Sequence, residues 1–396
     1  MAAMFAAYLA GFGVFLPFFP IWLDMQGLNA DWIAILVAIP LIVRVLTTSL
    51  VTDYAERFAD PRRPLLVLSI LTLLVFAVLP VMDSLSTGNV WLNRPWAILV
   101  VVALMAVGWN ALLPLSDALG IQVARVTHTD YGTMRVWGSI AFIAVSFAAG
   151  SVVEAYGAVS IPWMVVFVFF LMVLACASLP RSMVSATAEK SGSKAQKTRS
   201  GWVFFMRRKG AMSVFIGAGL IMSSHAVLYG FGSLSWARQG FSETTIGLLW
   251  SLGVFCEVVL FAVSGPIVAK IGARGLLILA GLGATFRWVV FAFAPDLLFT
   301  SVLQILHAFS FGMTHLAVIA YISRRGRARE LRGAQGVYGV VSGALMAVAT
   351  LAAGPLFSAL GPMAYLTMAA MTVVGSVIII INRVRVPGGV KPQPEC

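Results

Sequence analysis

Arg44, Asp117, Arg135, His225, Glu257, Arg287 and His307, with His315 as an eighth, sit inside otherwise apolar runs of the chain. A charged side chain at mid-depth in a bilayer costs roughly 2.5–3.5 kcal/mol on insertion scales, so it faces a partner or a water-filled cavity. These types have a definite chemistry. Guanidinium forks match carboxylates in a bidentate way, and Glu257 is a carboxyl able to exchange a proton. With both acids ionised and the histidines neutral, Arg44, Arg135 and Arg287 outnumber Asp117 and Glu257 by one. That excess favours an anionic ligand.

Each residue also has a plainer reading. The arginines can snorkel to the interface, although Arg44 lies about 12 Å into its run at 1.5 Å per residue, which makes snorkelling awkward. Asp117 can cap a helix end, Glu257 can pair structurally with one arginine, and the histidines can simply pack. His307 and His315 stand about 80° apart around a helix of 3.6 residues per turn, which gives no metal-binding pair. Phe18, Trp137, Phe142, Tyr229, Trp250, Phe286 and Trp288 offer rings for stacking, half or more of them expected to face lipid or simply to pack.

These side chains need a scaffold, and the composition narrows it. Of 396 residues, 60% are hydrophobic and 11% charged, with mean hydropathy +0.95. A soluble domain carries about 25% charged residues, so a polytopic all-α membrane protein is expected. Apolar runs long enough to cross about 30 Å of hydrocarbon fall at 3–23, 32–52, 64–82, 96–119, 133–153, 159–179, 211–234, 246–268, 275–294, 297–321, 334–356 and 363–382. The expected organisation is a six-helix bundle over 1–180, a Ser-, Ala- and Lys-rich linker over 181–209, and a second bundle over 210–396 ending in a short tail. The first run lacks a basic lead and is too long for a signal peptide, so it reads as a retained helix. Cys176, Cys256 and Cys396 are far apart and make neither a disulfide framework nor a zinc spacing.

The net charge of +12 would point to nucleic acid in a soluble chain, but its distribution points to topology. Of the 27 basic residues, twenty-two lie on one side of the predicted spans, including Arg57, Arg62, Arg63, Lys270, Arg274 and the linker cluster. Arg94 and Arg238 alone fall on the other side, and Arg44, Arg135 and Arg287 lie within spans. The positive-inside rule then puts both termini and the linker in the cytoplasm.

The halves repeat one another. Gly27-Leu-Asn-Ala-Asp-Trp-Ile33 opens the second run as Gly240-Phe-Ser-Glu-Thr-Thr-Ile246 opens the eighth, and the same offset from each glycine reaches Arg44 and Glu257. Gly132-Thr-Met-Arg-Val-Trp-Gly138 in the fifth run mirrors Gly333-Ala-Gln-Gly-Val-Tyr-Gly339 in the eleventh. Parallel repeats of this kind build transporters with a midplane site between two bundles.

Leu16-Pro-Phe-Phe-Pro-Ile-Trp-Leu23, Asn110 to Asp117 and Tyr131 to Gly138 resemble the lactose permease branch of the major facilitator superfamily. Pro114 to Ala118, Tyr131 to Phe142, His225 to Phe231, Leu249 to Val254 with Glu257, and Gln304 to His307 are closer still to its phenylpropionate permease family. The resemblance implies a proton-coupled symporter working by alternating access. It implies substrate binding at Asp117 and Arg135, and substrate binding and proton coupling at Arg287 and His307; the expected site adds Phe142, His225 and Trp250 for substrate, and Glu257 and Arg44 for proton coupling. The pattern departs at three points: Phe142 stands where a sugar-stacking tryptophan is usual, Ser310 where a proton-bearing glutamate is usual, and Glu257 one turn beyond the usual acid position at Val254. A sugar is therefore the less favoured cargo, and the proton site is expected to shift to Glu257.

The expected protein is an inner-membrane importer of a small organic solute, an aromatic carboxylate such as a phenylpropionate-type acid. Its partners would be that solute, protons and the lipid bilayer; it would act as a monomer without cofactor, metal or nucleic acid. A sugar or nucleoside symporter is the rival within transport. An embedded enzyme would want a nucleophile–base pair or metal cluster at membrane depth, and a receptor a soluble signalling domain; neither is evident. A channel would want rings of charge instead of opposed pairs.

Overall fold

The computed structural model describes residues 1–85, 94–179, 210–323 and 328–381, those of 328–332 by backbone alone. The linker and the tail lie outside the described residues. Six helices form the first half: α1 (Ala2–Met25), α2 (Ala30–Ala55), α3 (Arg62–Ser84), α4 (Pro95–Thr127), α5 (Tyr131–Tyr156) and α6 (Ser160–Ala177). The second half holds α7 (Ala211–Arg238), α8 (Glu243–Ala262), α9 (Ser264–Phe291), α10 (Leu297–Ser323), α11 (Ala328–Leu360) and α12 (Tyr365–Ile381). The final 49-residue apolar stretch, Gly333–Ile381, would measure about 73 Å as one helix, far beyond one crossing. It is two crossings, broken at Gly361 (φ 55°) by a single 3-10 turn, Gly361–Ala364.

Several helices outrun the apolar runs. α4 continues to Thr127 and α11 begins at Ala328, because a helix keeps its backbone bonds after leaving hydrocarbon whereas hydropathy registers hydrocarbon alone. α9 starts earlier than expected, as a short stretch from Ser264 that breaks at Gly272 (φ 72°) before the crossing proper. α7 and α10 each contain a π-helical segment, Leu228–Gly232 and Ala308–Met313, a distortion frequent at functional sites.

The sequence repeat is a structural repeat. Gly27 (φ 80°) and Gly240 (φ 88°) both take the left-handed turn that ends a helix. In both, the next residue's amide bonds back across the turn, Leu28 to Leu23 and Phe241 to Trp236. Two residues on, Asn29 and Ser242 cap α2 and α8 by accepting from the amides of Trp32 and Thr245. Helix pairing follows the same rule: α1 packs on α5 and α6, α2 on α4, and α3 on α4 and α6, while α7 packs on α11 and α12, α8 on α10, and α9 on α10 and α12. The halves meet through α5 with α8 and α2 with α11, the two contacts that such a pseudo-twofold exchanges. Matching arginines complete the pattern, Arg62 donating to the Ala177 carbonyl at the end of α6 and Arg274 to that of Ile380 at the end of α12.

Lipid tails are as apolar as leucine, so packing and small residues hold such helices together. The two halves press closest at the end opposite the N-terminus. A Cβ on Gly150 would stand 2.3 Å from the Glu243 carbonyl oxygen, and one on Gly247 2.3 Å from that of Ser146. Gly354 also lies close against Ala30, Asp31 and Ala34, at 2.8–3.0 Å from a Cβ placed there. Polar contacts reinforce this seam: Ser251 donates to the Ile143 carbonyl (2.8 Å), Glu154 accepts from the Thr244 amide (3.1 Å), and Arg238 meets Asp24 (3.1 Å). The Arg238–Asp24 pair is largely exposed and worth ~1 kcal/mol at most, so backbone fit makes the seal. Gly150→Leu should force α5 from α8 and move the population toward the opposite opening by about tenfold, roughly 1.4 kcal/mol. A cysteine at Ser146, buried in the seam against Gly247, would report this as faster thiol labelling from the sealed side, and an unchanged rate would count against the seam as the gate.

Candidate functional site: a chamber between the halves

Away from the seam, where α2 still meets α11 at Val45 and Gly343, ionisable side chains of the two halves come within reach of one another. On the first half, Tyr131 donates from Oη to Asp117 Oδ1 at 2.6 Å, and Arg135 Nε lies 4.0 Å from the same oxygen. These two side chains remain 31% and 35% exposed, so neither is a closed structural pair. Arg135 also lies over the Phe5 ring at 5.6 Å, and Tyr131 meets Phe5 edge-on at 5.9 Å. Gly138 admits the guanidinium, since a Cβ there would stand 3.1 Å from Arg135 Nη1. Arg44 is exposed, and it, Asp117 and Arg135 all lie within electrostatic reach of the buried Tyr8 phenol on α1.

The second half carries an enclosed network. Glu257 Oε2 stands 3.7 Å from His307 Nε2, both side chains nearly buried. Arg287 Nη1 reaches His307 Nδ1 (3.4 Å) and Ser310 Oγ (3.2 Å), and its Nη2 donates to Gln304 Oε1. Gln304 Nε2 in turn donates to the Leu249 carbonyl of α8 (2.9 Å). A guanidinium only donates, so His307 Nδ1 accepts, and the ring proton falls on Nε2, toward Glu257. His225 resolves the other way: Nδ1 faces the Met222 carbonyl at 2.9 Å and must donate, which leaves Nε2 to accept from Ser310 at 3.0 Å. Two π-faces, Trp288 at 4.6 Å and Phe291 at 5.5 Å, complete the guanidinium's surroundings.

The two walls face one another. Arg135 lies within electrostatic reach of Glu257 and of His315, across the gap. The structure thus brings Arg44, Asp117, Arg135 and Glu257 to one chamber, with His307 behind Glu257. Arg287 and His225 are wholly enclosed (0% exposed), so in this conformation the Arg287 guanidinium has no open face. Trp250 is covered and bonded through Nε1 to Ser233 (2.9 Å). Phe142 is covered too, with its carbonyl against Gly13 of α1. Among the other rings, Trp137 and Phe286 point outward, 52% and 58% exposed.

Tyr8, Gln304 and Gly312 carry weight that the sequence reading missed. Gln304 had a signal, one turn before His307 on the same face. A Cβ on Gly312 would stand 3.5 Å from Glu257 Cγ and 2.8 Å from Leu260, so this glycine makes the room Glu257 occupies. Ser310, where an acid was looked for, joins Arg287 to His225. Gln304→Leu leaves a buried guanidinium short of its amide partner and should destabilise the protein by about 2–3 kcal/mol. Pairing it with Arg287→Met should recover most of the loss in thermal unfolding; strictly additive losses would contradict the network.

Comparison with known proteins agrees with this architecture. The MFS_1 like family model matches residues 1–367. The chain is 32% identical over 375 residues to the "Probable 3-phenylpropionic acid transporter" of Escherichia coli (strain K12), covering 93% of each. It is 25% identical over 290 residues to the "Maltose permease" of Geobacillus stearothermophilus, covering 71% of this chain and 70% of that one. Among solved structures, the nucleoside transporter NupG aligns with TM-score 0.79 at 14% identity over 96% of this chain and 97% of that one. The inward-open xylose transporter XylE from E. coli aligns with TM-score 0.70 at 14% identity over 98% and 96%; at these identities the likeness speaks for the fold. With its twelve helices in two repeated bundles and its chamber between them, the chain belongs to the MFS_1-like family of the major facilitator superfamily and is a multi-pass membrane transporter.

Proposed function

We propose that this transporter is a symporter that imports a small aromatic carboxylate together with a proton by alternating access, across the inner membrane and as a monomer. The observation that carries the reading is the facing of Arg135 and Glu257 across one chamber. Arg135, with Arg44 nearby, receives the carboxylate; Asp117, held by Tyr131, keeps the Arg135 fork oriented. Glu257 exchanges the proton against His307, whose orientation Arg287 fixes from behind. In this conformation the rings of His225 and Trp250 and the Arg287 guanidinium act from beneath the chamber wall, and Phe142 acts by packing α5 on α1. Both termini lie on the cytoplasmic side, so the seam seals the outer face and the conformation faces inward. Substrate and proton bias the two states by differential affinity.

The carboxylate reading draws on the relative named for 3-phenylpropionic acid and on two first-half cations, Arg44 and Arg135, that share the surroundings of Tyr8 with Asp117. The test of the carboxylate reading is uptake into proteoliposomes under an imposed pH gradient, across aromatic acids, sugars and nucleosides. Accumulation of 3-phenylpropionate that collapses with the gradient supports it. Accumulation of neutral solutes alone would replace it with the sugar or nucleoside reading.

A further inference from the structure

We infer that His315 is the group through which the proton on Glu257 leaves toward the open end of the chamber, an assignment that rests on the proton role proposed for Glu257. His315 lies on α10 immediately after the π-helical segment, two turns beyond His307. Unlike His225 and His307, which are enclosed, its residue surface is exposed. It is also turned inward: its ring stands 6.0 Å from that of Phe261 on α8, and Arg135 of the opposite half is within electrostatic reach.

Glu257 and Phe261 are one turn apart on α8, and both come close to Gly312, at 3.5 and 3.7 Å from a Cβ placed there. His315 follows Gly312 by three residues, on the same side of α10. Glu257 packs against Gly312, with Leu260 filling the rest of its bare face, so Glu257 and His315 meet the α8–α10 contact about one helical turn apart, ~5 Å along the axis, a span one bridging water can cover.

The step balances without any further reactant. The Glu257 O–H bond breaks, the bridging water takes that proton and passes one of its own to the free ring nitrogen of His315, and a carboxylate remains. The imidazolium then gives its proton to bulk water at the open end. Imidazole accepts and releases protons near neutral pH, which suits a relay. The charge that reaches His315 is Arg135, across the chamber from α5; Glu257 lies one turn away on the packed face of α8, and His307 two turns back on its own helix.

The test uses full-length protein in proteoliposomes, with His315→Gln and His315→Asn beside wild type. Two rates are read with 3-phenylpropionate: accumulation driven by a pH gradient, and exchange at equal pH. The inference expects accumulation to fall about tenfold or more, with loss of the limb of its pH profile set by the open side, while exchange stays within about twofold. Retained exchange also reports that the variants fold. Unchanged accumulation with an unchanged pH profile in both variants overturns the assignment.

If wild type moves no 3-phenylpropionate, the cargo reading has failed, and the relay is read without cargo. After a pH jump, the infrared carbonyl band of protonated Glu257, identified by its loss in Glu257→Gln, should decay about tenfold more slowly in His315→Gln than in wild type. Equal decay overturns the relay, and a band that survives in Glu257→Gln removes Glu257 and the relay together.

Discussion

Glu257→Gln should abolish accumulation of 3-phenylpropionate against its gradient while leaving exchange at equal pH within a few-fold of wild type. Gln keeps the shape and can still accept from His307 Nε2, so the enclosed network survives. What it loses is the proton. Binding and the swing between states require only differential contacts, but coupling requires a group that is charged in one half of the cycle and neutral in the other. The two rates therefore separate: the uphill rate falls to background, and the exchange rate persists. Robust uphill uptake in Glu257→Gln would move the proton site elsewhere, and loss of both rates would assign Glu257 to structure.

Arg135 should be equally sensitive, for a different reason. Its guanidinium is partly exposed, lies 4.0 Å from Asp117, and faces the second half across the chamber. A bidentate bond to a carboxylate combines charge with geometry. Arg135→Gln should lower kcat/KM for uptake about 100-fold, or about 2.7 kcal/mol. Arg135→Lys should recover only part, since a point charge cannot reproduce the fork. Exchange should fall in parallel with uptake in both variants, opposite to the Glu257 pattern. A variant that lost accumulation yet exchanged normally would place Arg135 in coupling instead of in binding.

The scaffold was legible from sequence because the bilayer simplifies the physics. Crossing length, charge asymmetry and the Gly27/Gly240 repeat each follow from one constraint, and the repeat led to Arg44 and Glu257 as paired positions. Helix ends were less legible, since α4 and α11 extend beyond the hydrocarbon that hydropathy senses. The site was legible as a set of charges but not as a geometry. Nothing in the spacing of Arg135 and Arg287 says that the first is open to the chamber while the second is enclosed with Gln304, Ser310 and His307. That distinction is made by packing between α8, α9 and α10. The π-helical segments in α7 and α10 have no period of their own in the sequence, and Gly312 matters only because its missing side chain makes room for Glu257 and Leu260.

The central claim is that charges from both halves share one aqueous space. Single cysteines at Arg44, Asp117, Arg135 and Glu257, in protein with Cys176, Cys256 and Cys396 replaced, test it most directly through labelling by a membrane-impermeant thiol reagent applied to each face in turn. All four should label from the face bearing the termini and resist labelling from the other. Labelling of Arg135 and Glu257 positions from opposite faces, or by lipid-soluble reagents alone, would show two separate environments and contradict the shared chamber.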